Sequence, residues 1–512
     1  NQATNYATPL SGPQPNIGGG SLPGPANNGA GVAFAGSSYN QNAGTMTING
    51  TSVSGPAVQI YAGDVNLSQD AKFNVTGNST SGAGFNQRVG TLRLADNAGA
   101  TFNGTSGTTH GVDFEGTVAL AGNATLAATG TSNGAGMGVG MSNLTVAGNS
   151  TVSLNGASNS GSGVQRWNTT TLTDFGTLDI AGTSQTGTGA GFSVGAGITM
   201  SGDSQATVHG VSTGGTGFKL GEFGYTTRAN INLSERSALT LSGESSTGMG
   251  AVLMAANENV TQNATLNING VSQSNFGVSV AALFVGWNDS GDTTSLNGYG
   301  GYNAFHVGGY GADNINAQST TGTGFASTGT TDVSQNGTFN VNAVGAYGMS
   351  MSGGASTTAS DDAVITLNGT GTTGTGVYLP PITVSGNAVV NVDGSSESGI
   401  GVVQYPTRPY AVSNNATLNT AGPSDSGTAA LLNGTITTSG TAKADISGES
   451  QTGTGLELNG TLNNTGEGTI SLDGSSDQGT GVVTGATSAI NTSGTASTTA
   501  SGESDSGTGV EL

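Results

Sequence analysis

The sequence predicts an all-β protein: a right-handed, three-faced parallel β-helix of about 19 coils. Three observations lead there. A short phrase of small polar residues, Gly-x-Gly and an aliphatic residue recurs at a mean spacing of about 26.6 residues. Apolar residues alternate with Thr, Asn, Ser or Asp on either side of it, as in a strand with one buried face. No segment carries the i, i+3, i+4 stripe of an amphipathic helix.

The phrase is clearest at Thr373-Gly374-Thr375-Gly376-Val377, Thr452-Gly453-Thr454-Gly455-Leu456 and Ser506-Gly507-Thr508-Gly509-Val510. Looser copies run back to Val32, with Met137, Val278, Ala304 and Phe325 among the residues that follow a copy. Counting that residue as zero, positions −12 and −10 are apolar, as in Leu178/Ile180, Leu266/Ile268 and Ile365/Leu367, and form one strand. Positions 0 and +2, such as Val377/Leu379 and Leu456/Leu458, form a second. A weaker pair, Leu144/Val146 or Ile382/Val384, forms a third and leads into turns such as Ala147-Gly148-Asn149. Glycines at −8 (Gly156, Gly182, Gly369), −3 and −1 are assigned to corners that need positive φ or close backbone approach. One such unit cannot bury its own apolar face, but stacked units can, each strand pairing in parallel with its copies.

Residues 1–27 hold five of the 11 prolines and no strand pattern, and read as a linker or cap. Residues 28–512 read as a single β-helix, with irregular coils and loops at 219–250 and 283–350. The register still holds at Leu512, so the natural chain is expected to continue. The chain has no Cys, which suits export without disulfide locking. A net charge of −21 with nine Lys and Arg argues against a nucleic-acid groove or an anionic lipid surface. No run of 18 apolar residues occurs.

The Gly/Asn/Thr/Ser-rich coils, the lack of Cys and the acidic charge resemble the β-helical passengers of type V secreted exoproteins: autotransporter adhesins and filamentous-haemagglutinin-like two-partner secretion proteins. The resemblance covers residues 28–512 and rests on repeat style. It implies a Gram-negative cell-surface or released rod that meets an outer-membrane transporter during export and is usually an adhesin. The serine-protease passengers of the family carry G-D-S-G; here the nearest text, Asn288-Asp289-Ser290-Gly291, lacks the first Gly.

Catalytic candidates are weak. Gly210-Val211-Ser212-Thr213-Gly214 beside His209 matches G-x-S-x-G, but that motif needs a strand-to-helix elbow. His110, His209 and His306 fall in separate coils and suggest no triad or metal cluster. Glu397, Asp425, Asp477 and Asp505 share position −5 and should form an acidic corner ridge, read as a solubility device or a weak cation site. Gly308-Gly309-Tyr310-Gly311-Ala312-Asp313-Asn314-Ile315 fits one calcium nonapeptide, but such sites need consecutive copies, so no cofactor is expected, calcium being the remote alternative. Trp287, Tyr299, Tyr302, Phe305 and Tyr310 form the candidate binding patch, since exposed aromatics stack on sugars or anchor a protein partner. The expected function is adhesion to host glycans, host proteins or neighbouring cells, with self-association between rods also open and no enzymatic activity. A β-helix polysaccharide-degrading enzyme, or a passive stalk for a further domain, are the alternatives.

Overall fold

The computed structural model describes residues 30–34, 38–61, 63–193, 195–221, 229–254, 257–281, 304–352 and 355–511. Among them there are strands and turns and no helix. Each coil repeats three strands: a long one such as Thr151–Ser158, a short one such as Val164–Arg166 and a second short one such as Thr170–Leu172. Within each unit the strands pair in parallel with their counterparts one coil on: Leu154 with Ile180, Val164 with Ala190, Leu172 with Met200. This is the expected parallel β-solenoid.

Two compact units divide the chain, Asn1–Gly248 and Met249–Leu512. Eight long strands lie in the first and nine in the second, so there are about 17 turns, not 19. One of the two comes from a misplaced mark; the other arises because the 18 remaining first short strands, from Val32–Phe34 to Thr508–Glu511, flank only 17 long ones. Ala304 does not open a first short strand; it belongs to a second short strand, Ala304–Val307, in register with Asn257 and Thr330. Val278 pairs directly with Phe325, so the residues between them make one coil with an insertion rather than two coils. The mark at Met137 also moves: Val139 is the residue in register with Val112 and Val164.

Alternation places the apolar residues inside. Val152, Leu154, Val164 and Leu172 are fully buried in unit 1, and Ile365, Leu367, Val377 and Ile382 in unit 2. Each such side chain stabilises the fold by roughly 1.5–3 kcal/mol. In unit 1, Phe73, Phe85, Phe102 and Phe114 pack as one aromatic run, with centroids 4.7–5.8 Å apart.

The glycine at −8 lies inside the long strand rather than at a corner, and its φ is not positive. A Cβ at Gly156 would sit 2.0 Å from the Gly163 carbonyl oxygen, so this position is glycine because two backbone segments meet across a thin core. Positive φ occurs at another corner, between the second short strand and the long one. There Gly148, Asp174, Gly202 and Glu235 in unit 1, and Gly309, Gln335, Asp361 and Gly386 in unit 2, take left-handed geometry. Where that residue has a side chain, the side chain can reach back one coil. Asp174 Oδ2 accepts the Gly148 N–H at 3.1 Å, Glu235 Oε2 the Gly202 N–H at 2.6 Å, and Gln335 Oε1 the Gly309 N–H at 2.8 Å. Those bonds offset the strain of left-handed geometry.

A serine closes the corner after the long strand. Ser184 Oγ donates to the Gly161 carbonyl one coil back (2.7 Å) and accepts the Gly187 N–H of its own coil (2.9 Å). Ser79, Ser158, Ser212, Ser396, Ser450 and Ser476 repeat the staple.

The remaining corner, between the two short strands, carries most of the variation in coil length. It spans only Leu379 to Ile382 in one coil, Leu220 to Asn230 in another and Ala281 to Ala304 in a third. The two longest of these intervals, Leu220 to Asn230 and Ala281 to Ala304, fall once in each unit, and residues 222–228 and 282–303 within them lie outside the described ones.

Candidate functional site

The catalytic candidates resolve as architecture. Ser212 is a corner staple, donating to the Gly187 carbonyl (2.7 Å) and accepting the Gly215 N–H (2.9 Å), and it ends a long strand with no helix after it. His209 Nε2 lies 3.9 Å from Glu244 on the outside of the same face. Asp313 of the calcium-like segment is fully buried, in register with Leu266 before it and Phe339 after it, so its carboxyl points into the core. Among the described residues no three His, Cys, Asp or Glu side chains gather as a metal site would need.

The four carboxylates of the expected acidic ridge each fall in the turn after a long strand. Glu397, Asp425, Asp477 and Asp505 are exposed on one corner of unit 2. Gln451 interrupts it, its Nε2 donating to Asp425 Oδ1 at 3.0 Å from the coil between Asp425 and Asp477. Lys443 pairs with Asp445 on its own strand.

Of the five residues of the candidate aromatic patch, Phe305 and Tyr310 are described. Trp287, Tyr299 and Tyr302 lie outside the described residues. Phe305 is a core residue, 1% exposed, with its ring 5.0 Å from Phe339, because it falls on an inward position of the second short strand. It is therefore removed from any surface patch. Tyr310 is 67% exposed on the left-handed corner. The structure shows a different aromatic group on the variable corner of unit 2: Tyr378 and Tyr405 with centroids 4.6 Å apart, and the Arg408 guanidinium 5.3 Å from the Tyr378 centroid.

The most developed site lies in unit 1. His110, Asp113, Glu115, Ser142 and Trp167 line an open cleft of about 360 Å³ on the first short face, beside the variable corner. Asp113, Gly140 and Gln165 stand in register on successive coils and face outward. Gly140 is the floor: a Cβ there would be 2.5 Å from Trp167 Cη2 and 2.9 Å from Asp113 Oδ1. The missing side chain lets the indole reach back one coil towards the carboxyl group. Asn86 Nδ2 bridges the two acids, donating to Asp113 Oδ2 (3.2 Å) and Glu115 Oε1 (2.9 Å), and Gln59 Nε2 in turn donates to Asn86 Oδ1 (3.4 Å).

Asp113 is 3% exposed, and its Oδ1 has no hydrogen-bond partner. Burial, with the Glu115 charge adding to it and the Asn86 bond opposing, pushes its carboxyl up to about 7. Burial lowers His110, against the pull of Glu115. His110 Nδ1 accepts the Met137 N–H at 3.0 Å, which leaves the ring proton on Nε2. Ser142 Oγ accepts from Asn168 Nδ2 at 2.6 Å. The cleft thus offers an aromatic face, two carboxyl groups, an imidazole donor and a hydroxyl.

Sequence reasoning missed this cleft because its members come from three coils and no motif joins them. The available signal was Asp113 and Glu115 at alternate positions of one strand, with one of the chain's two tryptophans two coils later.

No family model matches the chain, and no curated protein matches it. Among solved structures, the crystal structure of a TibC-catalysed hyper-glycosylated TibA fragment, residues 55–350, aligns with 79% of this chain and 99% of that one. The identity is 13% and the TM-score 0.20. The functional reading therefore rests on this chain's own residues.

Proposed function

We propose that this chain is a cell-surface or secreted adhesin of a Gram-negative bacterium, a β-solenoid that presents one variable corner to host glycans, host proteins or neighbouring cells. The observation that carries the reading is the placement of variation. The left-handed corner and the serine corner stay nearly constant in length from coil to coil, while the third ranges from Leu379–Ile382 to Ala281–Ala304. A solenoid tolerates insertions where backbone pairing does not depend on them, and such positions carry recognition. Asn ladders such as Asn269, Asn316, Asn342 and Asn368 give the long-strand face of unit 2 an uncharged polar exterior that suits contact with water. The type V secretion resemblance supports export through an outer-membrane transporter.

The test is adhesion of beads coated with the full chain to epithelial cells, to immobilised mucin glycans and to each other. Binding above that of uncoated beads on at least one target is expected. Indifference to all three would overturn the adhesin reading in favour of a passive stalk.

A second reading, polysaccharide hydrolysis, draws on one observation: two carboxyl groups share Asn86, and one of them is held near the range of a general acid. Release of new reducing ends from polysaccharides, abolished by Glu115→Gln, would favour it over adhesion.

A further inference from the structure

We propose that the cleft formed by His110, Asp113, Glu115, Ser142 and Trp167 binds a neutral hexopyranose unit of a glycan, with the apolar face of the sugar on the Trp167 indole and its hydroxyls on the carboxyl groups. This assignment rests on the reading of the chain as an adhesin and specifies one ligand for it.

Four features select this ligand class. The indole lies against bare backbone at Gly140, beside a carboxyl group, so a ring stacked on it brings its rim to Asp113. A pyranose has that shape: an apolar C–H face bounded by hydroxyls. Asp113 Oδ1 is buried without a partner, and a hydroxyl from the cleft satisfies it where nothing in the protein does.

The third feature is the mixture of donors and acceptors. His110 is committed through Nδ1 to the Met137 N–H, so its Nε2–H can only donate. Glu115 accepts, and the Ser142 hydroxyl can do either. A cationic amine would ask for acceptors alone. A phosphate or sulfate would ask for donors with positive charge, and two carboxyl groups repel it. Hydroxyls, which donate and accept together, match the set. The fourth feature is size. About 360 Å³ is at the small end for organic ligands, and the open mouth lets one ring of a longer chain enter.

Trp167 and Trp287 are the two tryptophans, so the full chain carrying Trp287→Phe reports on Trp167 alone by fluorescence. The probes are gluco-, galacto-, manno- and N-acetylglucosamine oligosaccharides, with spermidine and inorganic sulfate as charged competitors. At least one oligosaccharide should give a saturable shift of Trp167 emission, and neither competitor should. Asp113→Ala should weaken that binding by tenfold or more, and so should Gly140→Ala, whose new methyl group displaces the indole. Circular dichroism should not change. If Gly140→Ala misfolds, Trp167→Ala read by calorimetry replaces it. Silence of Trp167 to all four sugars, a response to spermidine, or full binding by Asp113→Ala would overturn the assignment. If coated beads still adhere to cells when Trp167→Ala is introduced and no sugar binds, the cleft assignment fails and the adhesin reading stands. If the parent chain adheres to nothing, the adhesin reading itself fails.

Discussion

Glu258 and Asp313 are buried carboxyl groups of unit 2, 2% and 0% exposed, and none of their four oxygens has a hydrogen-bond partner. Phe305 stands in register with Glu258 in the next coil, and Leu266 and Phe339 flank Asp313. Two acids thus occupy positions that neighbouring coils give to apolar residues. Burial raises both well above the ordinary carboxylate range, and Asp313 raises Glu258 further. The sign follows from linkage. A carboxyl held neutral in the fold but ionised in the unfolded chain favours unfolding as pH climbs from the unfolded value towards the folded one. The slope is up to about 1.4 kcal/mol per pH unit per group. The loss accumulates over each pH unit in which a group stays neutral in the fold while it ionises in the unfolded chain, and the two losses add while both remain neutral. The double variant Glu258→Leu/Asp313→Leu removes this loss and replaces unpartnered acids by packing that the adjacent coils already use. Its advantage over the parent should be small near pH 4 and reach several kcal/mol near pH 7. Hydrogen exchange at Phe305–Val307 and Asp313–Ile315 is the right assay, because a solenoid opens coil by coil and a global melt would blur the effect. A parent protein whose protection in these strands does not fall between pH 4.5 and 6.5, or a double variant less protected than the parent near pH 7, would refute the reasoning.

Arg166 is fully buried where the adjacent coils place Met141 and Phe192; only Nε and Nη2 find a partner, Thr170 Oγ1 at 3.3 and 2.8 Å, and burial lowers the guanidinium to about 9. Arg166→Met should stabilise unit 1 by about 1–3 kcal/mol at neutral pH in urea titrations, and Thr170→Val should destabilise it by a similar amount. Ser184→Ala leaves the Gly161 carbonyl and the Gly187 N–H without their shared hydroxyl and should cost about 1–3 kcal/mol, seen as faster exchange at that corner. Gly156→Ala drives a methyl group into the Gly163 backbone and should cost about 3 kcal/mol or more in urea titrations, whereas Gly308→Ala, with its nearest atom at 3.6 Å, should be neutral within about 1 kcal/mol in the same titrations.

Much of the fold was legible because a solenoid writes its period into the chain. Positions such as Leu178/Ile180 and Val377/Leu379 repeat wherever a strand must face the core, and the parallel stack follows from that register. Two placements failed for physical reasons. Ala304 imitates a corner mark because small residues surround every corner, and only strand pairing distinguishes the second short strand from the first. Of the two roles that the sequence offers a −8 glycine, positive φ and close backbone approach, Gly156 has the second, but within the long strand rather than at the corner, against the end of the turn that follows it. The candidate site was less legible. Phe305 has the composition of a binding residue, but the alternation of its strand turns it inward, and Asp313 is turned inward in the same way.

The sequence by itself therefore determined the class of structure: parallel strands, glycine-dependent close packing, a polar exterior and an apolar interior. These depend on local alternation and on a period, and both can be read one residue at a time. Only the tertiary structure decided which side chains share a space. Trp167 meets Asp113 because Gly140, on the coil between them, has no side chain, and Asp313 raises Glu258 through the core although 54 residues lie between them in the sequence. Stacking converts distance along the chain into contact across coils, and the cleft exists only at that level.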